Sequence, residues 1–312
     1  MSLNSQAIMR GTSAATHRAA RRPLIRSPEC TPTRARARLL TIMLPNGSSN
    51  SNSEGRSNLA GFLGLGRACP IGYGPGQREF GPVLPDTPDI LFIVGRPQNA
   101  PSLAERGEID AFICFADLAW EAEAAGVHGI DHVLDLPFGS IDIVVAAAKD
   151  APASTLCDLV ARAPIPIRCI SELPFFARRT FSRERSYRAR FGSTPPTILQ
   201  HNRPTTAGTT PVIIDASAGS SEPLVQRGHY ECCMVVRSSG ATIRACQLKV
   251  IEVVASACPA LFCRSDVRNE PFLLQQLDAY VERLALAKQR WLELQACRQL
   301  EFHFSPLHDG RE

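Results

Sequence analysis

"PDILFIVGRPQNAPSLAERGEIDAFICFADLAWEAEAAG", residues Pro88–Gly126, decides the fold. It holds two near-continuous apolar runs, "ILFIV" and "AFICF", each followed by a segment of helical composition. The first such segment, Ala100–Asp110, is expected to start on Ser102 as N-cap and to stop at Gly107. The second, Leu118–Gly126, is closed by Gly126. Apolar runs without polar alternation are strands buried on both faces. Strands alternating with helices build a mostly parallel sheet with helices against it.

The same rhythm continues outward. "RLLTIMLPNG" (Arg38–Gly47) reads as a short buried strand and "NGSSNSNSEGRSN" (residues 46–58) as an exposed loop. "LAGFLGLGRACP" reads as a helix weakened by its glycines. "HVLDLPFGSIDIVVAAAKD" (His132–Asp150) holds strand material around a Pro-Phe-Gly turn. "PFFARRTFSRERSYRARFG" (Pro174–Gly192) has the pattern of one arginine-rich amphipathic helix, with proline at its start and glycine at its end. "HYECCMVV" (His229–Val236) is a buried strand that runs into "RSSGAT", and "CQLKVIEVVASACPALFCR" (Cys246–Arg264) is strand-rich. A closing helix, Phe272–Leu294, spaces Leu274, Leu277, Tyr280, Val281, Leu284, Trp291 and Leu294 as one packing face.

At 312 residues the chain is long enough for two domains, and its net charge of +4 is too small and too scattered for a nucleic-acid surface. Residues 1–39 carry Arg10, Arg18, Arg21, Arg22, Arg26, Arg34, Arg36 and Arg38 against the single acid Glu29. They read as a disordered extension or a targeting peptide. No apolar run is long enough to span a membrane. The eleven cysteines are odd in number, sit in apolar contexts and include no CxxC pair, so core packing explains them better than disulfides or zinc. Cys232 and Cys233 should point to opposite faces of one strand. His128 and His132 are read as loop residues and not as a metal pair.

Chemistry concentrates where strands end. Ser238, Ser239, Gly240, Ala241 and Thr242 combine hydroxyls, backbone N–H groups and a glycine at a strand-to-helix turn. That is either a phosphate seat or an ordinary helix cap. "SAGSSE" (Ser217–Glu222) and "FGSID" (Phe138–Asp142) are further loops of this type. Asp110 and Asp117 flank the strand "AFICF", and Glu231 opens the strand before the loop. Such carboxylates hold ribose hydroxyls or phosphate-borne Mg²⁺, or simply cap helices.

Taken in order, these segments resemble the ATP phosphoribosyltransferase family, the first enzyme of histidine biosynthesis. "ILFIVGRPQNAPSLAERGEIDAFICFADLAWEA" is similar to its Arg-Pro-x-Asp-Ile-Pro segment and the following Asp-x-Gly-Ile strand. "VLDLPFGSIDIVVAA" is similar to its Leu-Asp-Leu-Gly-Phe-Gly stretch, and "SELPFFARRTF" to its Thr-x-Tyr-Pro-Asn-x-x-Arg-Arg-Tyr-Phe. "SAGSSEPLVQRGHYECCMVVRSSGATIRACQLKVIEVV" resembles its Gly-Ser-x-Glu element and its Ser-Thr-Gly-Ala-Thr-Leu phosphate loop.

The resemblance implies an α/β fold of two domains like the type II periplasmic binding proteins, with mostly parallel sheets and a cleft between them. Residues 40–142 plus 256–312 would form domain I, and residues 143–255 domain II with the phosphate loop. It implies attack of ATP on phosphoribosyl pyrophosphate with release of pyrophosphate and with Mg²⁺ bound through the phosphates. The implied setting is a cytoplasmic homo-oligomer, with or without a regulatory subunit.

Ser238–Thr242 would seat the 5′-phosphate. Glu222 and Glu231 match the family's catalytic-site acids, Arg96 its Arg-Pro arginine, and Asp110 and Asp117 the aspartates around the second strand. The chain departs from the family pattern at several positions. Val235 stands where the family has an aspartate, Asn46-Gly47-Ser48 where it has Lys-Gly-Arg, and Asn99 where it has the Asp of Arg-Pro-x-Asp. Arg237 replaces an apolar residue, and Gln247 a glycine. The alternatives are a member that binds a nucleotide or sugar phosphate without turnover, or a transferase with another nitrogen nucleophile.

Overall fold

The computed structural model describes residues 39–46, 52–74, 81–200, 203–204, 210–217, 219 and 221–304. The readings of residues 1–38 and of Gly47 and Ser48 lie outside them. The chain divides after Arg38, and the fold belongs to the unit from Leu39 onward.

In chain order the elements begin β1 (Leu40–Pro45), α1 (Asn52–Leu65), β2 (Ile90–Gly95), α2 (Ala100–Glu105), β3 (Ala111–Phe115), α3 (Ala116–Ala125) and β4 (Ile130–Asp135). They continue β5 (Ile141–Ala148), α4 (Leu156–Arg162), β6 (Ile167–Ser171), α5 (Pro174–Arg183), α6 (Arg185–Phe191), β7 (Thr197–Gln200), β8 (Arg203–Pro204) and β9 (Val212–Ala216). The last are α7 (Ser221–Gln226), β10 (Cys232–Arg237), α8 (Ala241–Ala245), β11 (Leu248–Ala257), β12 (Pro259–Arg264) and α9 (Pro271–Phe304).

Among the described residues the strands form two sheets, ordered β2-β1-β3-β12-β4 and β11-β5-β10-β6-β9-β7-β8. In the first, β1 runs parallel to β2 and β3, while β12 runs antiparallel to β3 and β4. In the second, β6 runs parallel to β9 and β10, and β5 is antiparallel to both β10 and β11. The chain crosses between the sheets twice, from β4 to β5 and from β11 to β12. Both sheets are mixed, with five strand pairings parallel and five antiparallel among the described residues, and so are not mostly parallel as the sequence implied, because β5, β11 and β12 enter antiparallel at the crossings. Two α/β lobes joined by a double crossing keep the two-domain arrangement expected from the likeness to type II periplasmic binding proteins.

Each lobe has its own core. Leu40, Ile42, Phe62, Phe92, Tyr280 and Leu284 are among the buried side chains of the first, and Val145, Ile167, Phe181, Tyr187 and Met234 of the second. A third cluster joins Phe112, Ala116 and Phe262 of the first lobe to Ile141 and Ala257 at the crossings. Cys232 packs in the second lobe's core, while Cys233 faces a separate cluster with Val144, Val225 and Ile243 on the sheet's other side.

Four local expectations are corrected. The polar stretch before Leu59 is not all loop, because the chain turns helical at Asn52. Leu59, Phe62 and Leu63 bury one face of α1 in the core, and that burial outweighs the poor helix propensity of its glycines. The arginine-rich helix is two helices. Glu184 breaks it in an extended conformation and accepts the Ser186 N–H at 3.3 Å. The turn lets Tyr187 bury and donate to the Thr194 carbonyl at 2.7 Å. Ser102 lies inside α2 and does not cap it, since that helix follows directly from a 3-10 turn, Pro97–Asn99. His132 is a strand residue on β4, opposite Phe262, with its Nε2 2.8 Å from Asp135 Oδ1.

Two glycines near the end of α1 separate packing from propensity. A methyl group on Gly66 would lie 2.0 Å from the Arg283 carbonyl oxygen of α9, whereas one on Gly64 would meet nothing within 4 Å. Gly66→Ala therefore forces α1 away from α9 and should cost about 1–3 kcal/mol. Gly64→Ala should be neutral or stabilise by up to ~1 kcal/mol. Urea-unfolding midpoints of the two variants check this.

Candidate active site

In parallel α/β sheets ligands bind beyond the carboxyl ends of the strands. In the second lobe that edge carries Glu172 after β6, Ser217 after β9 and Ser238–Thr242 after β10. Because β5 and β11 pair antiparallel to each other and β5 to β10, Asp142, Ser256 and Arg237 stand abreast at the same edge. In the first lobe the corresponding edge carries Asn46, Arg96 and Asp117.

The loop after β10 turns on Gly240, whose φ of +69° favours glycine. The Ala241 N–H reaches Ser239 Oγ at 3.3 Å, and Arg244 Nη1 donates to the Ser239 carbonyl at 2.9 Å. A methyl group on Gly240 would lie 3.2 Å from Arg244 Nη1 and 3.5 Å from Arg237 Cδ, so two arginines flank the turn. Ser238, Ser239, Ala241 and Thr242 are exposed. Arg237 Nη2 binds Asp142 Oδ2 at 2.5 Å, and Ser256 Oγ donates to Asp142 Oδ1 at 2.7 Å. The arginine, and then the serine, hold the Asp142 carboxyl below its usual range. The edge thus offers hydroxyls, a glycine turn and two guanidinium groups, a combination suited to an anion with several oxygens.

The predicted carboxylates divide by strand end. Asp117 lies at the carboxyl end of β3, in the first turn of α3, only 3% exposed, and its Oδ1 has no hydrogen-bond partner. Burial raises its pKa to about 6, with the Glu172 charge adding to the rise against local backbone N–H bonds. Asp110 lies at the opposite end of the same strand. Its Oδ1 accepts Arg264 Nε at 2.9 Å and its Oδ2 the Thr41 N–H at 2.8 Å. Arg264 is itself 4% exposed and also binds Glu270 at 2.7 Å and Asp266.

Glu231 likewise stands at the amino end of β10, where Oε2 accepts the Arg168 N–H at 2.6 Å, a full strand away from Ser238. Glu222, in the first turn of α7, is close enough to Cys233 and Cys246 for its charge to add to the burial that raises both thiols. That puts it on the α7–α8 side of the sheet. Arg96 is exposed just after β2. The structure therefore groups Ser238–Thr242 with Asp142 and Arg244, and it sets Asp110 and Glu231 apart.

Asp142, Glu172 and Glu121 were not among the predicted residues. The only signal was position, with Glu121 one helical turn beyond Asp117 and Glu172 directly after a strand. Among the described residues no three His, Cys, Asp or Glu side chains form a metal cage.

A family model described as HisG, ATP phosphoribosyltransferase, matches residues 96–285. The ATP phosphoribosyltransferase of Halorubrum lacusprofundi is 24% identical over 223 residues, which cover 68% of this chain and 64% of that protein. The one from Gemmatimonas aurantiaca is 28% identical over 217 residues, covering 69% and 61%. The chain spans less than two thirds of the length of these relatives. Among solved structures, the ATP phosphoribosyl transferase (HisG:HisZ) complex from Thermotoga maritima matches 81% of this chain and 100% of that one. The TM-score is 0.56 at 14% identity, a likeness of fold.

The two aspartates around β3 give opposite predictions. Asp110→Ala should destabilise by about 3 kcal/mol at neutral pH, because it strips one partner from a buried arginine, and a thermal melt measures this. Asp117 has a pKa raised in the folded state, so its stabilising contribution is present below its unfolded value near 3.8 and lost as pH rises through about 6. Asp117→Asn should therefore gain roughly 2 kcal/mol at pH 8 and flatten the stability profile between pH 4 and 7. Denaturant titrations across that range check the slope.

Proposed function

The chain belongs to the ATP phosphoribosyltransferase family, and on that premise we propose that it transfers a phosphoribosyl group from phosphoribosyl pyrophosphate to ATP. A nitrogen of adenine would displace pyrophosphate, yielding phosphoribosyl-ATP for histidine biosynthesis. The observation that carries this reading is the exposed Ser238–Thr242 loop at the carboxyl edge of the second sheet, with Arg237 and Arg244 beside its glycine. In this reading the loop's hydroxyls and N–H groups hold the 5′-phosphate and the two guanidinium groups offset its charge.

Pyrophosphate departure leaves a cation-like ribosyl group, and carboxylates fixed nearby would stabilise it electrostatically. Asp117, Asp142 and Glu172 are acids at the carboxyl edges of the two sheets, with Glu222 on the α7–α8 side. Mg²⁺ would enter on the substrate's phosphates and not in a protein cage. The family background supports a homo-oligomer or a pairing with a regulatory subunit as the working form. No helix among the described residues is long and apolar enough to cross a membrane.

A second reading, ligand binding without turnover, is favoured by one observation. Val235, which stands at the family's loop aspartate, is 3% exposed and packed among Val144, Ala146 and Ile170.

The purified chain incubated with phosphoribosyl pyrophosphate, Mg²⁺ and ATP should release pyrophosphate. Tight binding of phosphoribosyl pyrophosphate without release, with ATP or with other nitrogen bases, would establish the second reading instead. Gly240→Val should weaken that binding at least about tenfold, equivalent to ~1.4 kcal/mol, by calorimetric titration. Unchanged affinity would remove the loop from the site.

A further inference from the structure

Away from the crossings, one contact between the lobes is built around a carboxylate. Glu121, on α3 of the first lobe, accepts the Phe175 N–H on Oε1 at 2.9 Å and the Phe176 N–H on Oε2 at 2.6 Å. Both donors belong to the first turn of α5 in the second lobe, where Pro174 opens the helix. They are among the groups a helix cannot satisfy internally. Trp120 lies nearly parallel to Phe176, with ring centroids 6.0 Å apart, and with Leu118 it packs against the second lobe's core. Arg179 sits over the Phe176 ring and reaches back to Glu123 at 3.9 Å. One face of α3 is thus closed onto the start of α5.

The charged groups around Glu121 are few. Arg178 of α5 attracts it, and Asp117, one turn earlier on α3, repels it. Glu172, just after β6, faces Asp117, while Arg179 is taken up by Glu123. We propose that Glu121 is the latch that holds the two lobes closed, and that this latch loosens as the medium turns alkaline.

The direction follows from solvation. In the closed form burial, the largest influence, raises the Glu121 pKa to about 7, against the two N–H bonds and Arg178, and Asp117 adds to the rise. When the lobes part, the carboxyl regains water and its ordinary range near ~4.3. Closing therefore takes up a proton between those values. It is favoured on the acid side and opposed once pH exceeds about 7. The latch involves no ligand and does not rest on the phosphoribosyl reading.

The test follows the ligand-free full chain from pH 6 to pH 8.5 by small-angle scattering and by amide protection factors across residues 173–177. The wild type should expand as pH rises, and protection there should fall about tenfold. Glu121→Gln keeps the shape and one acceptor without the charge, so its radius and protection should not change with pH. Glu123→Gln, on the same helix, should behave as wild type, and Asp117→Asn separates that neighbour's own titration. A wild type whose protection is constant or rises with pH would overturn the proposal, as would a folded Gln variant that follows the wild-type curve.

Discussion

Everything at the candidate site depends on the chain crossing twice between the sheets at one place. The outward passage, residues 136–140, and the return at Cys258 run side by side. The Leu136 N–H donates to the Pro259 carbonyl at 2.8 Å, and the Ala116 N–H to the Cys258 carbonyl at 3.0 Å. On either side of that junction the same strands enter their ladders, β5 against β11 and β12 against β3 and β4. A paired crossing of this kind holds the carboxyl edges of both sheets toward each other. Across it Glu172 of the second lobe comes close enough to Asp117 of the first for its charge to act there. The third apolar cluster, from Phe112 to Ala257, packs at the junction.

Charge at that junction is arranged economically. Asp142 takes up Arg237 and Ser256, and Glu121 takes up two helix-terminal donors. Asp117 retains one buried oxygen without a hydrogen-bond partner, an arrangement that costs free energy and rewards any donor that reaches it. At the second lobe's edge exposed hydroxyls and guanidinium groups stand beside Asp142 and Glu172, and at the first lobe's edge the buried Asp117 stands with the exposed Arg96.

Much of this was legible in the sequence, for identifiable reasons. Continuous apolar runs such as "AFICF" and "ECCMVV" reported strands buried on both faces, and that reading placed both sheets. The loop at Gly240 was visible because its requirement is local: small residues and one positive φ. What sequence could not separate was the two ends of one strand. Asp110 and Asp117 flank β3 alike, as Glu231 and Ser238 flank β10. Only the direction in which each strand enters its sheet decides which of the two faces the crevice. Helix boundaries were missed where tertiary burial ruled, as when Tyr187 pulled the arginine-rich segment into two helices and Phe62 drew a glycine-rich one into the core.

The departure at Val235 is also a matter of strand geometry. Val235 and Arg237 lie two apart on β10 and so share a face. On β5 their partners are Val144 and Asp142. Two rungs inside the sheet, the position is surrounded by apolar side chains, where an ionised carboxylate would have to be desolvated without a partner. One rung pair further out, the neighbouring strand supplies Asp142, half-exposed and already bound to a guanidinium. A negative charge is therefore present at this edge. It is carried by β5 in place of β10, displaced toward solvent and neutralised by Arg237. Whatever the loop holds, Asp142 answers to that arginine first.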